Sequence, residues 1–251
     1  MTKLMCITLL IFSQWAGAFS DLGHKMVAAA AWPQLTPFAK QSVERLLGAG
    51  EENFIKASVW ADRIKSNEDF NYLKPLHYVN MPKAARTYVK SRDCKRNKCV
   101  VEAIKDFSRI ARSGSEKEQT LALRMLIHLI ADVHQPLHAG LYEDRGGNWY
   151  EIKYQGKSVT LHKFWDNHLV KRFDSDVLSG AEKIRANSNN VSGTNPVAWA
   201  EESHGITVNS VYLAQENKAL NDEYLLMADG IMQQQLNRAS QRLAMWLNTL
   251  W

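Results

Sequence analysis

The run HLIADVHQPLHAG occupies residues 128–140. It begins on an apolar, helix-forming tract that starts at about Lys117, and Pro136 stops that helix soon after Val133, because a proline ring inside it would remove a hydrogen bond and clash with the preceding turn. His128 and Asp132 stand four residues apart, so on a helix they project from one face about a turn from each other and can reach one ion. His138 follows just past the break. The spacing recurs in HKFWD, where His162 and Asp166 share the face of a second helix expected over Leu161–Phe173. Imidazoles lodged against the apolar runs Leu121–Ile130 and Phe164-Trp165 are costly to bury unless hydrogen-bonded or coordinated.

Outward from these two helices, the 3.6-residue period dominates. Helices are expected over Gly23–Ala31, Ser58–Lys65, Val100–Arg112 and Val177–Ala186, and from Thr36-Pro37, an N-cap followed by proline at the first helical position, to Leu47. Pro196 opens another through Trp199 and Glu202. The last spans Asn221–Leu247, with Leu225, Met232, Leu236, Leu243 and Leu247 on one face. A strand pattern occurs only at Trp149–Tyr154, turning at Gln155-Gly156 into Ser158–Leu161. The fold class is all-α with one short β-hairpin. Ser188–Asn195 reads as a surface loop.

With 251 residues and 45% hydrophobic content, the chain can bury one substantial core. Lys3, the apolar run Leu4–Trp15 and Ala16-Gly17-Ala18 make residues 1–18 a secretory signal peptide, cleaved after Ala18, and leave one domain over residues 19–251. No later segment approaches twenty apolar residues, so no integral membrane span is expected. Export, periplasmic or extracellular, places Cys94 and Cys99 in an oxidising compartment, where they read as a short-loop disulfide. A zinc site on that pair needs two more ligands, and Lys95-Arg96-Asn97-Lys98 between them offers none. Asn190-Val191-Ser192 has the form of a glycosylation sequon. The formal charge is +5. Between Lys83 and Lys98, seven cations face only Asp93, a pattern that fits a solvated loop and a phosphate-contacting surface alike.

His24, Asp62 and His77 lie upstream in segments that can pack on the two helices carrying the HxxxD pairs. A lone HxxxD is ordinarily a helix-surface pair; two of them joined by HQPLH concentrate metal-ligand chemistry. Imidazole and carboxylate without thiolate suit zinc best among the common catalytic metals. His134 is expected to hydrogen-bond behind the ligands, and His168 and His204 to be surface or structural.

In order along the chain, LGH at 22–24, WAD at 60–62, HYVN at 77–80, HLIADVHQPLHAG at 128–140, GGN at 146–148 and HKFWD at 162–166 resemble the zinc-dependent single-strand-specific nucleases and 3′-nucleotidases of fungi and plants, with their bacterial relatives. The resemblance covers Phe19 to Asp166; beyond about Phe173 it is one of helical character and length. It implies a phospholipase C/nuclease-like helical fold and three zinc ions. Asp62, His77, His128 and Asp132 would hold the first, and His138, His162 and Asp166 the second. The third would take the freed amine and carbonyl of Phe19, His24 and a bridging Asp132. Phe19 sits five residues before His24, the spacing the resemblance implies for the third ion, in agreement with cleavage after Ala18. Two positions depart from the family: Phe19 replaces its usual tryptophan, and Lys65 replaces its phosphate-neutralising arginine, keeping the charge but losing the bidentate fork.

The implied reaction is in-line attack on phosphorus by a hydroxide shared between two metal ions about 3.5–4 Å apart, oriented by Asp62, with Lys65 at the phosphate and 5′-phosphate products. The implied partners are single-stranded DNA and RNA and 3′-nucleotides, acted on by a monomer. Tyr78 would stack a nucleobase, Asn80 meet its edge and Asn148 line the pocket. The related zinc phospholipases C differ in two respects: their first histidine lies farther from the mature terminus, and their last ligand pair ends in glutamate. A non-enzymatic exported zinc protein, the remaining alternative, needs only four ligands for a structural site, fewer than the nine positions found.

Overall fold

The computed structural model describes residues 19–186 and 191–251. The signal segment 1–18, the first residues of the Ser188–Asn195 loop and the sequon residue Asn190 lie outside the described residues.

Helices account for nearly all regular structure. The first half carries α1 (Ser20–Ala31), α2 (Pro37–Leu47), α3 (Glu51–Ala57), α4 (Trp60–Arg63), a 3₁₀ stretch Glu68–His77, α5 (Lys90–Asp93), α6 (Val100–Ser113) and α7 (Glu116–Asp132). After a 3₁₀ turn at Pro136–Ala139 come β1 (Glu151–Tyr154), β2 (Lys157–Thr160), α8 (Leu161–Lys163), a π turn at Phe164–His168 and α9 (Leu169–Phe173). Then follow α10 (Val177–Ala186), α11 (Pro196–Asn209) and α12 (Asp222–Leu250). The two strands form an antiparallel hairpin with Glu151 opposite Thr160 and Ile152 opposite Val159.

α7 is the axis. Its N-terminus is closed by a capping box between Ser115 and Glu118, a device of the kind that contributes about 1 kcal/mol. From Met125 to Asp132 every residue is buried, which is how a helix surrounded by others reads. α1, α2, α3, α4, α6 and α12 all pack on it. Each fully buried leucine such as Leu123 or Leu126 contributes roughly 1.5–3 kcal/mol of transfer free energy. α12 supplies the longest wall through Ala228, Met232, Leu236, Leu243 and Leu247. No helix among the described residues is long and apolar enough to cross a membrane.

The expected cap at Thr36 forms, accepting the Ala39 amide with Pro37 at the first helical position; Pro196 opens its helix as expected, and Asn195, read only as loop, caps it by accepting from Val197. Cys94 and Cys99 are disulfide-bonded with Cα atoms 5.3 Å apart. Other boundaries shift. Only Trp60–Arg63 of the helix expected over Ser58–Lys65 is α-helical, and α3, unforeseen, precedes it. Pro75, which has no amide to give, keeps Glu68–His77 from forming a regular α-helix. The helix expected over Leu161–Phe173 is continuous but widens into a π turn around Asp166. α11 runs on to Asn209, past Glu202.

Candidate metal centre and nucleotide site

The buried end of α7 meets α1, α4, the end of the 3₁₀ stretch and the α8–π turn, and each brings polar side chains into the core. Three groups of potential ligand atoms result, with all atoms of a group within 4.8 Å of one another: His24, Asp62 and His128; His77, His128 and Asp132; His138, His162 and Asp166. Every histidine and aspartate singled out by the motifs is therefore in one cluster. Asp132 links its parts: His24 Nε2 lies 3.3 Å, His128 Nε2 3.2 Å, His77 Nδ1 2.9 Å and His138 Nδ1 3.7 Å from its carboxylate. His24 stacks on His128 with ring centroids 3.9 Å apart. In the other pair, His162 Nε2 is 3.0 Å from Asp166.

The rings are aimed by backbone carbonyls. His128 Nδ1 donates to Ser58 O at 2.7 Å, His138 Nδ1 to His77 O at 2.8 Å and His162 Nδ1 to Gly146 O at 2.7 Å. Each such bond fixes a tautomer whose unprotonated Nε2 faces the cluster, the usual arrangement behind metal-bound imidazole. His77 Nε2, His138 Nε2, Asp62 Oδ1, Asp132 Oδ1 and Asp166 Oδ2 are buried without a directed hydrogen-bond partner, as are both His24 nitrogens. Buried polar atoms left so cost about 1–3 kcal/mol each, and a cation accepted by these lone pairs removes that cost. The donor set of imidazole and carboxylate fits zinc.

Charge is distributed accordingly. Burial pushes the Asp62 carboxyl up, but His128, Lys65 and His24 outweigh it and hold the group at about 2. Asp132 is likewise kept well below the usual carboxylate range, burial being overcome chiefly by His128 and His138. Burial drives His77 down to about 4 and also lowers His138. In His128 and His162 burial is outweighed by the neighbouring carboxylates, which raise them.

Lys65 pairs with Asp62 at the rim of the cluster, and its charge reaches His77, His128 and His162 as well. Arg63, the other nearby cation, turns away to Asp21 at 3.2 Å. From His77 onward the chain is extended: Val79 N donates to His138 O at 2.8 Å and Met81 N to Gly140 O at 3.0 Å. Side chains alternate along such a segment, so His77 and Val79 face inward while Tyr78 faces out, 44% exposed beside the cluster. Asn80 lies against the turn at Gly146. There a φ of +66°, and Leu137 O only 2.5 Å from where a side chain's Cβ would stand, leave room for glycine alone. Asn148 is exposed and its amide donates to Arg145 O at 2.9 Å, closing that turn.

Phe19 is fully buried at the head of α1, with its carbonyl accepting from Gly23 N at 3.0 Å and its ring 6.4 Å from that of His24. His134 sits behind the site without touching the metal-facing groups; it bonds Ile130 O at 2.6 Å and Arg242 at 3.0 Å. His204, buried, bonds Ala139 O at 2.9 Å. Four supporting side chains went unread in the sequence. Gln135 donates to Asp166 at 2.5 Å, Ser203 to Val133 O at 2.6 Å and Gln235 to His134 O at 2.7 Å, while Thr207 bonds Pro136 O. Gln135 alone carried a signal, its place inside HQPLH.

The chain is 27% identical over 261 residues to Endonuclease 2 of Arabidopsis thaliana, covering 91% of this chain and 89% of that protein. It is 25% identical to Nuclease S1 of Aspergillus oryzae, covering 96% and 94%, and 26% identical to Nuclease P1 of Penicillium citrinum, covering 91% and 96%. The sequence pattern of the family described as S1/P1 Nuclease matches residues 19–251, and the chain belongs to that family.

Proposed function

We propose that the chain is an exported, zinc-dependent nuclease that hydrolyses phosphodiester bonds of single-stranded DNA and RNA, leaves 5′-phosphates, and also dephosphorylates 3′-nucleotides. The observation that carries this reading is the set of buried imidazole and carboxylate atoms in three adjoining groups, with seven of those atoms, on His24, Asp62, His77, Asp132, His138 and Asp166, left without a directed hydrogen bond. Asp62, His77, His128 and Asp132 hold one ion and His138, His162 and Asp166 a second. The amine and carbonyl of Phe19 complete a third with His24 and Asp132. That amine exists once the signal is removed after Ala18; its intrinsic pKa of about 7.7–8.0 lets a metal displace the proton near neutrality. The family match beginning at residue 19 supports this terminus.

Zinc in these sites supplies an acidified water and fixed positive charge at the phosphate. Asp62, kept ionised, accepts a hydrogen bond from the attacking water and orients it in line with the leaving oxygen. Lys65 brings a point charge to the phosphate oxygens. A base stacks on Tyr78, Asn80 meets its edge and Asn148 shapes the pocket. Stacking contributes about 1–3 kcal/mol per base and accepts any base. Bases in a duplex are already stacked on each other, so the site selects single strands. The chain acts as a monomer, each subunit carrying a whole site.

The test is N-terminal sequencing and zinc analysis of the exported protein, with hydrolysis assays on single-stranded DNA, RNA, duplex DNA, a 3′-nucleotide and phosphatidylcholine. We expect a Phe19 terminus, three zinc ions per chain, and cleavage of both single strands far ahead of duplex and lipid. One zinc per chain, or lipid cleavage without nucleic-acid cleavage, overturns the proposal.

A further inference from the structure

The chain leaves the site at Met81 and returns at Cys99-Val100, where Val100 N donates to Tyr78 O at 3.1 Å. The excursion between them is closed at its base by the Cys94–Cys99 disulfide and by Tyr88, whose hydroxyl lies 3.7 Å from Cys99 Sγ. It carries seven cations and one carboxylate, whereas the whole chain has a net charge of +5, so the rest of the molecule is close to neutral. The positive field is thus concentrated on one short segment anchored beside the exposed Tyr78 ring.

Two of the seven cations are neutralised locally, Lys90 by Glu102 at 2.7 Å and Arg92 by Asp93 at 2.7 Å. The other five, Lys83, Arg86, Lys95, Arg96 and Lys98, are exposed and make no ion pair with any described residue. An open hollow is lined by Val89, Lys90, Ser91, Lys95, Arg96 and Asn97. Lys95 and Arg96, two of the five, stand at this hollow, and a solvated loop has no need of five uncompensated cations on so short a segment. A polyanion does, because each phosphate neutralised releases condensed counterions.

From the unpaired cations Lys83, Arg86, Lys95, Arg96 and Lys98 on a disulfide-closed excursion rooted at Tyr78, we infer a second binding site, a track for the backbone phosphates of the strand that extends beyond the nucleotide being cut. The inference rests on the proposed nuclease reading and deepens it: the enzyme favours polymers over mononucleotides, and the preference is electrostatic. A 3′-mononucleotide, which ends at the reacting phosphate, does not reach the track.

The experiment uses the zinc-loaded protein and the variant Lys95→Ser/Arg96→Asn/Lys98→Ser, asparagine being chosen because Arg96 has a φ of +59°. Binding of a single-stranded phosphorothioate oligonucleotide and hydrolysis of a phosphodiester oligonucleotide and of a 3′-mononucleotide are followed between low and physiological salt. At about 0.7 per phosphate on a single strand, loss of three contacts lowers the log–log salt slope of binding by about 2 and weakens low-salt oligonucleotide binding roughly tenfold to a hundredfold. Mononucleotide turnover and zinc content stay as in the parent. An unchanged slope and unchanged oligonucleotide KM overturn the track. A parent protein that binds the oligonucleotide with this slope and cleaves no phosphodiester overturns the nuclease reading instead. Lys83→Ser/Arg86→Ser, outside the disulfide loop, gives a second reading of the slope should the triple variant fail to fold.

Discussion

Gln135 shows how a single side chain can set a metal-facing group. It is fully buried between His128/Asp132 and His138, and it works at both ends: Nε2 donates to Asp166 Oδ1 at 2.5 Å, and Oε1 accepts from Leu137 N at 2.5 Å. The first bond leaves only Oδ2 of Asp166 facing His162, and the second shapes the turn that presents His138. Gln135→Met keeps the volume and removes both bonds. Loss of such an outer partner weakens metal retention about 10–100-fold, so the ion proposed for His138, His162 and Asp166 is expected to leave first in a chelator titration. Equal retention in parent and variant confines Gln135 to the turn. The residues it serves were legible because their chemistry is rare: an imidazole and a carboxylate four apart on an apolar helix announce themselves. Gln135 was legible only as part of a motif, and its partner, 31 residues away, was not legible at all.

At the scale of elements, α11 and α12 act as a clamp on the link between the two ligand groups. Ser203, Thr207 and His204 from α11 and Gln235 from α12 bond the carbonyls of Val133, Pro136, Ala139 and His134. The sequence showed α12 as an apolar stripe and α11 as a proline-started helix, but not this grip, because serine, threonine and glutamine are ordinary residues and their partners lie 70, 71 and 101 positions away. The same clamp holds Arg242, which pairs with Glu202 at 3.0 Å and with His134 at 3.0 Å. Burial, then the Arg242 charge, drives His134 down to about 3. Its unfolded value is about 6.5, so between those values the unfolded chain takes up a proton that the folded ring refuses. The contribution of His134 to stability is whole above about pH 6.5 and is lost as pH falls through about 3. His77, lowered to about 4, has the same sign, whereas the raised His128 and His162 contribute stability at low pH that is lost as pH rises. His134→Gln is therefore expected to flatten the fall in urea midpoint of the metal-free protein between pH 6.5 and 3.5, compared with the parent. Parallel pH profiles would mean that the ring is not the titrating group.

Across the whole molecule, five imidazoles and three carboxylates occupy a place where a chain of this size ordinarily puts leucine. Helices from both halves of the sequence converge there, α1, α4 and α7 from the first and α8 and the π turn from the second, so the cluster is a shared end point rather than a surface ornament. Without a cation, buried lone pairs face one another and like groups crowd; with it, the same atoms become cross-links between elements far apart in the chain. Metal binding and folding are then linked, since the unfolded chain has no such cluster. A single site filled at about a thousandfold excess of free metal over Kd adds about 4 kcal/mol. At roughly 2–4 °C per kcal/mol for a chain of this size, stripping even one such site lowers Tm by about 8–16 °C, and stripping any further site lowers it more. Calorimetry of the purified protein before and after chelation, followed by stepwise return of zinc, measures this. The expected record is a large fall on chelation, with recovery in stages as the sites refill. A Tm unmoved by complete removal of metal would show that hydrogen bonding and packing alone satisfy the cluster, and the ions would then have no part in holding the helices together.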